Sequence, residues 1–159
     1  MVTGVDGSGR SCVVSDGEVA FAGGGGRGGI SIADLFSTAT APPPARPAGR
    51  ADFVDLGVGP GLVHWIAVDY APGAATHMHC TDTVDIEIVL TGSVELQLGD
   101  GVHHLQAGTC VVMNGVDHAW RAGPAGCRLS VLAIGTPPPV SRAPSAGSTP
   151  RDRTDRNQS

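Results

Sequence analysis

The sequence predicts an all-β domain, an antiparallel sandwich or barrel. Short β-branched and apolar runs recur across residues 52–135, each closed by a Gly, Pro or Asp-Gly break. About eight such runs follow one another at a spacing too short for intervening helices. The only helix candidate is a short stretch from Ser31 or Ile32 to Phe36, with Ser31 as N-cap.

Taken in order, CVVS (12–15) and EVAF (18–21) flank Asp16-Gly17 and predict a hairpin. Residues 22–29 (AGGGGRGG) form a flexible glycine run, and residues 38–50 (TATAPPPARPAGR) a proline-rich connector biased to extended geometry. Strands are then expected at FVDLGV (53–58), LVHWIAVDY (62–70), ATHMH (75–79), DIEIVLT (85–91), SVELQLG (93–99), VHHLQA (102–107), TCVVMN (109–114) and CRLSVLAI (127–134). Gly99-Asp100-Gly101 between two alternating runs is a hairpin signal. In SVELQL, Val94, Leu96 and Leu98 share an inward face, with Glu95 and Gln97 outward. The division expected is an N-terminal extension over 1–50, a β domain over 51–135, and a tail over 136–159 that is disordered past about 140.

Composition removes several classes. With 159 residues the chain is long enough for one domain, and 41% apolar residues suffice for a core. A net charge of −5 argues against a nucleic-acid binder working through a basic face. No apolar run approaches ~18 residues, so no membrane helix is expected. The start, MVTGVDGSGRS, lacks a charged-then-apolar leader. The four cysteines form no CxxC pair, so free thiols in a reducing, cytoplasmic setting are expected. All ten basic residues are Arg, which fits a GC-rich bacterial genome. GxSxG, GxxxxGK[ST], HExxH and a GxGxxG between strand and helix are all missing, leaving serine hydrolase, kinase and dinucleotide dehydrogenase readings without support.

The chemistry concentrates in residues 72–92, PGAATHMHCTDTVDIEIVLTG. His77 and His79 stand two apart, which on a strand points both to one face; Asp85 and Glu87 do the same on the next run. A third histidine, His118, follows the Gly-containing turn at 114–117. Imidazoles suit Fe, Mn, Ni or Zn, and a carboxylate adds charge and oxygen coordination. Three neutral imidazoles and one carboxylate leave a divalent site at net +1, suited to polarising a substrate oxygen. HxH alone is also what two surface or core histidines would give; the later histidine and the carboxylate make the pattern specific.

That pattern resembles the cupin superfamily. The first cupin motif (Gly, spacer, His-x-His, carboxylate, six residues, Gly) is matched by Gly73, His77, His79, Asp85 and Gly92. The second is matched by Gly101, Gly115 and His118. The strings HMHCTDTVD (77–85) and HAWR (118–121) look closest to small single-domain bacterial cupins. The resemblance covers roughly residues 55–135. It implies an antiparallel jelly-roll barrel with a divalent transition metal held in the mouth by His77, His79, Asp85 and His118. Three positions depart from the motif: the carboxylate is Asp after five residues, Met113 replaces Pro, and Ala122 replaces Asn.

Glu87 is a second candidate, as a ligand in place of Asp85 or as a general base; the other reading is a hydrogen-bonded interior carboxylate. An Asp–Glu pair facing one cavity raises at least one pKa. His64 shares a face with Ile66, Val68 and Tyr70 and is read as interior, either structural or proton-moving. Trp120 and Met113 are expected to shape a substrate pocket, and Arg121 to bind a substrate carboxylate or sit solvated at the rim. His103 and His104 follow a turn and are expected exposed. The function implied is a metal-dependent enzyme acting on a small organic, aromatic or polyketide-like molecule, with cyclase, dehydratase or isomerase chemistry favoured. A dioxygenase and a non-catalytic binding module are the alternatives, and a homodimer is expected.

Overall fold

The computed structural model describes residues 1–20, 33, 35–41, 43–44 and 49–139. The helix candidate lies largely outside them, and its described positions, Ala33, Leu35 and Phe36, carry no helical turn. The glycine run and the tail past 140 lie outside them too. Every regular element among the described residues is a strand.

Nine strands follow in chain order: β1 (Val2–Val5), β2 (Ser11–Ser15), β3 (Asp52–Phe53), β4 (Val63–Tyr70), β5 (His79–Cys80), β6 (Thr83–Leu98), β7 (Gly101–Gln106), β8 (Cys110–Met113) and β9 (Ala119–Gly135). The main sheet runs β2-β1-β8-β6-β9-β4, with β7 paired to the far half of β6; β3 and β5 pair separately. All-β is thus what the chain forms. The strand path is open among the described residues, and two of its pairings, β1 with β8 and β3 with β5, are parallel. It is therefore a mixed sheet without barrel closure, where the sequence predicted a closed antiparallel one.

The hairpin expected at 12–21 has a different partner. CVVS pairs backward with VTGV at 2–5, antiparallel. The reason is the turn between them. Asp6 Oδ1 accepts from Ser8 N, Ser8 Oγ and Arg10 N at 2.8, 2.7 and 3.0 Å, and Gly9 supplies a φ of 78°. A carboxylate closing its own turn three times outcompetes Asp16-Gly17, where Oδ1 takes one amide of its own turn and otherwise faces the N-terminal ammonium at 3.8 Å. The hairpin then adds to the chain's own sheet through Val2 opposite Val112.

Two of the expected strands, 85–91 and 93–99, are one. β6 continues through Thr91-Gly92 because the register against β9 slips there, between Val89/Thr91 and Gly92/Val94. Gly92 (φ 74°) and Gly126 (φ 78°) meet at this bend, so close that a Cβ on Gly92 would stand 2.1 Å from the Gly126 carbonyl oxygen. Positive φ and this approach both demand glycine. Both long strands bend at the same level, and the sheet folds over itself into two layers. Layer one holds β8, the first half of β6, the second half of β9 and β4. Layer two holds β7, the second half of β6 and the first half of β9. One core fills the fold: Val89, Val111, Leu129 and Val131 from layer one meet Val94, Leu96, Leu98 and Trp120 from layer two. Val94, Leu96 and Leu98 are the inward face read from the alternation.

The FVDLGV run shrinks to the two residues of β3, and ATHMH is a strap-like ribbon of which only His79 belongs to a strand. All four cysteines are free. Gly92→Ala is expected to lower stability by about 2–4 kcal/mol, from left-handed strain plus the clash with backbone. Gly17→Ala, with nothing within 4 Å of the new methyl, should change it by no more than about 0.5 kcal/mol. Urea unfolding midpoints of the two variants check this.

Candidate functional site

Residues 73–80 run antiparallel along the start of β9. Gly73 N bonds Gly123 O at 3.2 Å, Ala122 N bonds Ala74 O at 2.8 Å, and Thr76 N bonds Trp120 O at 2.9 Å. The Thr76 hydroxyl accepts from Trp120 N at 2.9 Å. The ribbon ends with His79 and His118 exchanging both backbone bonds, at 2.9 and 2.8 Å. Residues that exchange both bonds project side chains from the same side, with Cα atoms about 5.5 Å apart. The rings accordingly meet: the His79 and His118 centroids are 4.2 Å apart, and His77 lies 5.6 Å from His79. Trp120 stands edge-on to His118 at 6.1 Å.

Depth is graded across the cluster. His118 is buried, His79 half-buried and His77 exposed, so the cluster opens to solvent at His77. Two backbone carbonyls aim the inner rings. His79 Nδ1 lies 2.9 Å from His77 O, and His118 Nδ1 lies 2.7 Å from Val116 O. A carbonyl only accepts, so each Nδ1 carries the proton and each Nε2 of the neutral ring keeps its lone pair. Burial, and after it the neighbouring His79, pushes the His118 pKa down to about 4. Its Nε2 is therefore an unprotonated donor at neutral pH.

Layer one supplies the carboxylates. Asp85 and Glu87 share the inward face of β6, in cross-strand rows with Met113 and Ala133, and with Val111 and Val131. Both are buried, and Asp85 Oδ1 and Glu87 Oε2 have no hydrogen-bond partner. Burial pushes the Asp85 pKa up to about 6, against the pull of the Thr83 hydroxyl. Burial, then the charge of Asp85, raises Glu87 well above the usual carboxylate range. Glu87 in turn adds to the effect of burial on Tyr70, pushed up to about 12, and on the Cys127 thiol.

The remaining expected site residues fall elsewhere. His64 does share the inward face, opposite Ala133, but it lies at the open end of edge strand β4 and is exposed. With Ala133 between them, it is two strand spacings, about 10 Å, from the Asp85 backbone. Met113 is fully enclosed in the core, its sulfur taking the Thr3 hydroxyl at 3.5 Å, so it walls no open pocket. Trp120 is 4% exposed and packs with the core. Arg121 points the opposite way from Trp120, across from Glu95, which it approaches to 3.9 Å. His104 is exposed as expected, its Nδ1 3.5 Å from Glu95 Oε1, whereas His103 is half-buried because its Nε2 is drawn to Asp100 Oδ1 at 2.8 Å. A groove of about 1100 Å³ lies on the outer face of layer one, lined by Ile86, Ile88, Leu35 and Phe36 among others, not at the imidazoles.

Three imidazoles beside unpartnered carboxylate oxygens have the chemistry of transition-metal ligands. Rings sharing an ion at ~2.1 Å from nitrogen have centres roughly 4.5–5.2 Å apart; the His79–His118 pair is closer than that and the His77–His79 pair wider. As the side chains are disposed, no group of three or more His, Cys, Asp or Glu among the described residues could hold a metal ion. The sequence reading missed Asp117, whose carboxylate takes the amides of Arg50 and Ala51 at 2.9 and 3.1 Å. No spacing rule points to it, because its partners lie in the linker far upstream.

No family model matches the chain. Over 55 residues it is 40% identical to oryzines biosynthesis cluster protein J of Aspergillus oryzae, covering 34% of this chain and 31% of that one. Over 55 residues it is 38% identical to phomopsin biosynthesis cluster proteins C′ and D of Diaporthe leptostromiformis, covering 29% of each. The matched region thus spans about a third of these curated relatives' length. Among solved structures, a protein of unknown function from Rhizobium leguminosarum bv. viciae 3841 aligns with TM-score 0.44 at 20% identity, over 47% of this chain and 72% of that one. KdgF from Halomonas sp. aligns with TM-score 0.39 at 18% identity, over 45% and 68%.

The two carboxyls and His118 make stability pH-dependent in opposite senses. The folded state binds the carboxyl protons more tightly than the unfolded chain does. Their contribution is therefore full below about pH 4 and is lost as pH rises through about 6 and beyond. The His118 contribution is present above its unfolded pKa and is lost as pH falls towards about 4. Glu87→Gln in EDTA-treated protein is expected to raise stability at pH 8 by roughly 1–3 kcal/mol, with no gain at pH 4. Urea unfolding at the two pH values checks it, and a loss at pH 8 contradicts it.

Proposed function

We propose that this chain is a single-domain cupin enzyme that holds a divalent transition metal and converts a small organic molecule by non-redox chemistry. The observation that carries the reading is the meeting of His77, His79 and His118, with the Nε2 atoms of the two inner rings left free by backbone carbonyls. The cupin motif spacing supports the family, and the two-layer folded sheet is compatible with a jelly-roll. His77, His79 and His118 would hold Fe, Mn, Ni or Zn, and Asp85, whose inward oxygen is unpartnered, is the fourth donor. When bound, such an ion supplies Lewis acidity towards a carbonyl or enolate oxygen.

The chain's own residues supply the proton handling. Asp85 and Glu87 form a buried pair in which burial and, at Glu87, the charge of its neighbour favour the protonated form. Glu87, rather than the distant and exposed His64, is the proton-moving group. Cyclisation, dehydration and isomerisation each need one proton taken and one returned, which such a pair performs without an electron acceptor. The substrate enters over His77, the exposed ring. A biosynthetic role is supported by the printed names of the relatives, which are biosynthesis cluster proteins.

Metal analysis of protein purified without a His-tag is expected to find about one ion per chain, and less than about a tenth overturns the reading. His77→Ala and His118→Ala should each cut metal content at least about tenfold, while His103→Ala leaves it unchanged. Turnover that is equal with and without oxygen supports the non-redox assignment, and strict oxygen dependence replaces it with a dioxygenase.

A further inference from the structure

Residues 49–54 contact both segments that carry the inner histidines. Asp52 and Phe53 of β3 pair in parallel with His79 and Cys80, and Val54 N continues the pairing to Cys80 O at 2.9 Å. The other contact is to the residue before His118. The two oxygens of Asp117 take one amide each, Oδ2 from Arg50 and Oδ1 from Ala51. Gly49 marks how tightly this crossing is drawn. A Cβ there would stand 2.2 Å from Asp117 Oδ1 and 2.7 Å from the Cys80 Cβ. One glycine is thus wedged between the neighbour of His118 and the neighbour of His79.

We infer that residues 49–54 are a strap that sets the separation of the His79 and His118 rings, and that Asp117 is the positioning residue that fastens it. The inference rests on the metal-holding reading above. The backbone exchange between His79 and His118 fixes which way the rings point, but it is an isolated bridge rather than a rung within a continuous strand pair. An isolated bridge opens readily unless neighbouring chain holds it. The strap does so by binding both sides of that bridge at once, through main-chain bonds on the His79 side and a carboxylate on the His118 side. Charge makes the second link strong, since a carboxylate accepting two backbone amides forms charge-assisted bonds. Asp117 bonds the strap amides and precedes His118 in the chain, so it positions that ring through the backbone, while its charge also reaches the imidazole.

Titration with Co²⁺ tests this, reading affinity from the rise of the visible band and geometry from its shape at saturation. Asp117→Ala is expected to weaken Co²⁺ binding by about ten- to a hundredfold. Asp117→Asn keeps one acceptor oxygen and should fall between Ala and the parent protein. Gly49→Ala pushes the strap off and should behave like Asp117→Ala, giving a second route if that variant folds poorly. The band shape at saturation should differ from the parent's in both strap variants, whereas a mere loss of stability would leave a saturated site with the parent's spectrum. If the parent binds Co²⁺ and the variants match it in affinity and spectrum, the strap assignment falls while the metal reading stands. If the parent itself binds none, the metal reading fails, and the strap with it.

Discussion

The site depends on one rung of backbone pairing, the exchange of amide bonds between His79 and His118. Each residue comes from a different part of the chain, and neither lies deep within a long strand. The rungs behind it, joining Thr76 to Trp120, Ala74 to Ala122 and Gly73 to Gly123, align the ribbon so that this last pair falls in register. A slip of one residue would turn Met78 towards His118 and the imidazoles away, since side chains alternate along an extended chain. Register is therefore the quantity the local sequence must protect. The Thr76 hydroxyl, bonding the Trp120 amide in addition to the backbone rung, is one device that protects it.

The carboxylates carry the opposite strain. Placing Asp85 and Glu87 side by side on a buried face of β6 leaves two oxygens without partners, where a Val–Val pair would have packed without cost. Neighbouring inward positions on β8 and β9 are Val111, Met113, Val131 and Ala133, which offer nothing polar. Sites that break the rule of satisfied buried polar groups are where function is to be sought, because packing alone would not retain them. The surrounding core, with Leu96, Leu129 and Val94 almost wholly enclosed, is what makes such a pair tolerable.

Much of this was legible in the residues. β4, the second half of β6, β7 and the end of β9 follow the two-residue alternation, and the Gly99-Asp100 turn joins β6 to β7 as its composition indicates. The convergence of the three histidines was legible from spacing, as was the common face of Asp85 and Glu87. What alternation could not convey is continuity. Thr91-Gly92 reads as a break, yet a bulge at a positive-φ glycine bends a strand without ending it. Nor could it rank competing turns, so the threefold closure by Asp6 went unseen beside the plainer Asp16-Gly17 signal. Pocket residues were the least legible. Met113 and Trp120 have the chemistry of a pocket wall, but their accessibility is decided by how two layers close over them, a tertiary matter that no local pattern records.

The bend shared by Gly92 and Gly126 bears on more than the path of two strands. The imidazoles lie along one leaf of the folded sheet and the carboxylates on the other, so the distance between the two groups follows the crease rather than either set of side chains. At this crease two glycines come so close that the one strand could not carry a side chain on Gly92 without the other moving away. The spacing of the two leaves at this level is thereby written into main-chain geometry, and a change in it would have to begin at the crease while the imidazoles and carboxylates stayed as they are.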